Sequence, residues 1–192
     1  MPSVSEAQDK RSEAVKKFLD AQRLEQNGNY SGAVEAYKQA IDLDPQSAEL
    51  RVALGSLYLK NRNTIDAETQ AIAATKLAPE DMEVRKLLAR IYIAQSFVGV
   101  AFVKEKARAA ITELEEIVKK DPRAKLDIGD QEQPALMLIG GLYLNLEEPD
   151  KALDAFKRNS EGNSASDEAQ FQLASVYFQK NKFREAAAAA RK

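Results

Sequence analysis

Two phrases that close helices, AIDLDP ending at Pro45 and ATKLAP ending at Pro79, stand 34 residues apart, and the pairs Tyr143/Tyr177 and Ala152/Ala186 keep the same interval. A fixed period of this length means one small unit repeated, because such a unit cannot bury its apolar face alone and has to stack on its neighbours. Inside each period apolar residues recur at helical spacing, a short polar turn follows, and a second helical stretch runs towards a proline. That pattern is a helical hairpin. In the first unit the turn is Asn27-Gly28, where glycine can take the left-handed conformation that ends a helix, and Asn61 and Asn181 mark similar junctions.

The residues are more specific than the period. NGNYSGAVEAYKQAIDLDP resembles the second half of a tetratricopeptide repeat, with Ala33, Tyr37, Ala40 and Pro45 at signature positions. The second unit agrees at Leu54, Gly55, Tyr58, Ala67, Ala74 and Pro79, and the third at Leu88, Ala89, Tyr92 and Ala110. A fourth carries Ile139, Gly140, Tyr143, Ala152 and Phe156, and a fifth Leu173, Ala174, Tyr177, Phe183 and Ala186. Gly55, Ala89, Gly140 and Ala174 are small where paired helices approach closely. The fold expected is all-α, a right-handed α-solenoid of about five antiparallel helix-turn-helix hairpins. Its units span residues 14–47, 48–81, 82–124 with an insertion near 95–104, 133–166 and 167–192, after a lead-in or helix extension over 1–13. The fifth unit stops inside its second helix, which points to a longer natural chain.

Composition narrows the function. Twenty-eight Lys and Arg against thirty Asp and Glu give a net charge of -2 with the signs interleaved, so the basic stripe that nucleic acid or an anionic membrane surface requires is missing. With no Cys and no His, thiolate and imidazole nucleophiles, His general bases and the usual transition-metal ligands are absent. No cofactor is expected and no enzymatic activity. Adjacent acids such as Glu115 and Glu116 do not face a common point on a helix. MPSVSEAQDKR lacks the apolar stretch of a signal peptide, and no run approaches a membrane span, so a soluble chain is expected, cytoplasmic or exported after loss of a signal.

What the resemblance implies is a protein-interaction scaffold whose first helices line a concave groove. The residues expected to face it are Phe18, Val52, Leu59, Lys86, Arg90, Ile93, Met137, Leu144, Phe171 and Phe178, with Gly141 among them. Large apolar side chains in a groove that should face water suit an apolar peptide or the apolar face of a partner helix. The clamp of Lys, Asn and Arg by which some tetratricopeptide domains hold acidic chaperone tails is not matched, since its places carry Phe18, Gln22, Ala53, Glu83 and Leu87. The alternative role is that of an interaction domain in a larger enzyme whose catalytic part lies outside this chain.

The third unit breaks the register. Pro79 and Pro122 are 43 residues apart, nine more than the period, and the surplus surrounds QSFVGVAFVKEK. Such an apolar run is expected to be buried, with both helices of the hairpin lengthened by four or five residues and the chain reversing near Gly99. Phe97, Val100 and Phe102 are expected at the tip as a second contact surface, for a partner or for self-association, which the fifth unit's end could also serve. PALMLIGGLYLNL, apolar on every side, is expected to be covered at Met137 and Leu144 by the preceding RAKLDIGDQEQ segment or by a partner.

Overall fold

The computed structural model describes residues 4–129, 131–162 and 167–191. The ends of the lead-in and of the fifth unit, and the boundary between the fourth and fifth units, lie outside the described residues.

Ten helices are described: α1 (Val4–Gln26), α2 (Tyr30–Leu43), α3 (Ala48–Lys60), α4 (Thr64–Leu77), α5 (Met82–Ser96), α6 (Lys104–Lys120), α7 (Ala135–Asn145), α8 (Pro149–Gly162), α9 (Asp167–Gln179) and α10 (Phe183–Ala189). Within the compact units α1 pairs with α2, α3 with α4, α7 with α8 and α9 with α10, antiparallel hairpins of the expected helical-repeat class. Helices α2, α3 and α4 begin on side-chain caps, Asn29, Ser47 and Asn63 accepting from the backbone N–H groups of Gly32, Leu50 and Asp66.

Four of the five turns share one geometry. In the first, Asn29 N–H donates to Leu24 O at 2.8 Å and Gly28 N–H to Glu25 O at 2.9 Å, the paired bonds of a Schellman ending. The same two bonds recur at Asn63/Arg62, Glu148/Glu147 and Lys182/Asn181. The left-handed residue of each motif is Gly28, Arg62, Glu147 or Asn181, with φ between 57° and 73°.

The third turn departs from this and from the lengthened helices expected of it. A two-stranded antiparallel ribbon, β1 (Phe97–Val98) and β2 (Ala101–Phe102), joins α5 to α6, with Phe97 opposite Phe102 and Val98 opposite Ala101. Val103 N–H donates to Ser96 O at 2.9 Å and continues the ladder. Gly99 has φ +61° and Val100 stays out of the left-handed region, the type II′ pattern that matches strand twist. β-branched and aromatic residues around a Gly-first turn favour a ribbon over two more helical turns. The run is exposed, not buried. A second ribbon, β3 (Lys125–Ile128) and β4 (Gln131–Pro134), forms the long connection before α7 and is pinned by buried Leu126. Both ribbons add strand to a chain read from sequence as all helix.

The chain divides into two compact units at Ile91/Tyr92, within α5. In the first, Ala21, Ala33, Tyr37, Ala40, Leu50, Leu54 and Leu57 form the core shared by α1, α2 and α3. In the second, α6 buries Ala107, Ala110, Ile111, Leu114, Ile117 and Val118, an apolar stripe at helical spacing. Phe156 joins Ala152, Leu153, Leu173 and Val176 in the core between α8 and α9. Arg158 reaches from α8 to Glu115 on α6 through two bonds of 3.1 and 3.2 Å. Arg108 on α6 bonds Glu148 at 2.6 Å, so that Lys151 and Arg108 together hold the Glu148 carboxyl below its usual range.

Candidate functional site

Helix α7 explains why PALMLIGGLYLNL is apolar all round. Ala135, Leu136, Ile139, Gly140 and Leu142 are its buried side. The opposite side presents Met137, Leu138, Gly141, Leu144 and Asn145 at helical spacing to an open groove of about 480 Å³ within the second unit. Ile93 and Phe97 supply one wall, Gln133 of β4 and Gln172 of α9 add amides, and Phe156 reaches the groove from α8. Among the described residues no charged side chain lines it.

Two adjacent glycines give the groove its depth by different means. A Cβ on Gly140 would lie 2.2 Å from Cε1 of Phe156, so the ring rests where only hydrogen fits. A Cβ on Gly141 would meet nothing within 4 Å, so its missing side chain is open space on the groove side. Asn145 donates from Nδ2 to Gly141 O at 2.8 Å, which holds its amide on the same helix face.

Of the residues singled out from sequence, Ile93, Met137 and Leu144 come together here with Gly141, and Phe97 of the insertion joins them. Phe102 meets Phe97 in a tilted arrangement with ring centroids 5.3 Å apart, and Val100 is fully exposed at the turn. Phe171 and Phe178 are 70% and 64% exposed on α9 and do not line the groove; Phe178 meets Phe183 edge-on at 5.5 Å. In the first unit Phe18 packs edge-on against Tyr37 at 5.8 Å and belongs with the core. Val52 and Leu59 are half-buried on α3, Lys86 and Arg90 half-buried on α5, and Lys86 pairs with Glu83 at 2.8 Å.

Gln133, Leu138, Asn145, Phe156 and Gln172 were not singled out for the groove. Gln133 reaches it only because β3 and β4 pair, and Phe156 only because Gly140 lets the ring pass. Leu138 and Asn145 left a sequence trace, each one turn from Gly141 on the same helix face.

Among the described residues no group of three or more His, Cys, Asp or Glu could hold a metal ion, and no helix is long and apolar enough to cross a membrane. Residues 24–91 match the tetratricopeptide repeat family model. A comparison of the sequence with curated proteins gives no match. Among solved structures, a crystal structure of MamA superposes with a TM-score of 0.75 at 20% identity, over 93% of this chain and 88% of that one. A tetratricopeptide repeat protein from Parabacteroides merdae gives 0.74 at 16% identity, over 93% and 64%. MamA from Desulfovibrio magneticus gives 0.73 at 17% identity, over 92% and 90%. At such identities the likeness is one of fold.

Proposed function

Because residues 24–91 match the tetratricopeptide repeat family model and the fold is that of solved tetratricopeptide repeat proteins, we propose that this chain is a protein-interaction module, holding an uncharged apolar segment of a partner in the groove beside α7. One observation carries this reading: an apolar groove opened by Gly141 whose described lining holds no charged side chain. Its volume lies in the range of about 300–1,000 Å³ usual for sites that enclose a ligand. The amides of Gln133 and Gln172 can meet the backbone N–H and C=O groups of a bound segment without demanding charge from it. An acidic tail would find no cation among the described lining residues and would lose its hydration for nothing.

On the first unit we assign a contact role to Val52 and Leu59, seven residues apart on α3, with Lys86 and Arg90 as its polar border. Phe171 and Phe178 offer further apolar area on α9.

Fluorescence anisotropy with labelled peptides tests the groove. Uncharged peptides rich in Leu, Phe and Met should bind saturably at low protein concentration, and acidic peptides of equal length should not. Gly141→Leu, which fills the open space from within the helix, should weaken binding at least about tenfold, the loss of a desolvated anchor site. A folded Gly141→Leu protein that binds as well as the wild type sinks the assignment.

A further inference from the structure

The β1–β2 ribbon is an apolar projection with no charged residue from Phe97 to Val103. Val100 is fully exposed, with Val98 60% and Phe97 49% exposed. Neighbouring bulky apolar side chains left in water mark a surface that another body covers. The groove beside α7 is the complementary feature on the same unit, concave and, among the described residues, equally free of charge. We propose that the ribbon of one chain seats in the groove of a second copy of this chain, and that the second copy returns the contact, forming a closed two-fold dimer.

Adjacency selects closure. Phe97 belongs to the ribbon and also lines the groove, so projection and cavity share a border. When a molecule carries both halves of a contact far apart, copies join head to tail and the chain of contacts can grow without end. When the halves share an edge, a two-fold axis through that edge satisfies both at once and nothing remains to recruit a third copy. Matching neutrality favours the ribbon as occupant: neither surface leaves a charge unpaired when water is expelled. A charged partner segment would have no such match. The inference does not rest on the peptide-binding role, though both place a guest in the same groove.

Sedimentation velocity of the full chain from about 1 to about 200 µM, a range that brackets typical weak dimers, decides it. The wild type should shift from monomer to dimer across the series and show no larger species. Val100→Asp, at a position that packs on nothing, should weaken dimerisation at least about tenfold, and Gly141→Leu should do the same by blocking the cavity. An equimolar mixture of these two variants should form a heterodimer, because one keeps its groove and the other its ribbon. Melting curves establish that each variant is folded. A wild type that stays monomeric throughout overturns the proposal, as do folded variants that dimerise unchanged. A monomeric wild type that binds the apolar peptide leaves the peptide reading standing and this one refuted; a dimer that binds no peptide does the reverse.

Discussion

At Gly140 and Gly141 the same residue type faces opposite constraints. Gly140 touches the Phe156 ring, and a methyl group placed 2.2 Å from Cε1 forces one of two packed elements to move. Gly140→Ala should therefore cost about 1–3 kcal/mol, the usual penalty for overpacking, even though alanine is the better helix former. Urea denaturation checks it, and adding Phe156→Leu should recover part of the loss. No loss in Gly140→Ala would show that the ring has room to shift. Tyr37 makes a different residue-scale prediction. Burial first, then the Glu25 carboxylate beside it, push its phenol from 10.0 up to about 12. A folded-state value above the unfolded one means that stability is fully present below about pH 10 and is lost as pH climbs towards about 12, because the unfolded chain ionises first. Tyr37→Phe should flatten that part of the profile in alkaline denaturation series. An unchanged slope would assign the loss to other groups.

The recurrent element is the Schellman turn, and it shows where sequence reading succeeds and where it stops. Gly28 and Asn181 are residue types that tolerate the left-handed conformation and are legible as turns. Arg62 and Glu147 occupy the same position with φ of 61° and 63°, and nothing in their chemistry announces it. Only the spacing of 34 residues from Gly28 to Arg62 and from Glu147 to Asn181 does. Holding a side chain there costs about 1–2 kcal/mol, while glycine's extra freedom in the unfolded chain costs about 0.5–1 kcal/mol. The first term wins, so Arg62→Gly and Glu147→Gly should each stabilise by up to about 1 kcal/mol, read as a raised melting temperature. A fall in both would mean that the side chains hold the turn by contacts of their own. The third turn defeats the period altogether. Its residues have strand propensity, its neighbours set a helical expectation, and the choice between two longer helices and a ribbon depends on pairing that one strand cannot reveal. The same limit hid Gln133, whereas Met137, Gly141 and Leu144 were legible because helical spacing puts them on one face of α7, and Ile93 because the repeat register gives it the place on α5 that Leu144 has on α7.

For the whole molecule, charge is spread evenly over the chain but is missing from the ribbon and from the described lining of the groove. Surface ion pairs such as Lys60–Glu25, 3.1 Å apart, contribute little and fade in salt. An association built from uncharged apolar surface behaves otherwise. Its driving force is largely entropic near room temperature and weakens on cooling, so occupancy of the groove should hold between about 0.05 and about 0.5 M sodium chloride yet fall between about 25 and about 4 °C. Sedimentation or anisotropy at the four corners of that range is the check, and strong salt dependence would put charged contacts in control. The uncharged groove thus makes handling conditions part of the biochemistry: material purified and assayed in the cold is in its least associated state, and warming it restores the contacts that its surface chemistry favours.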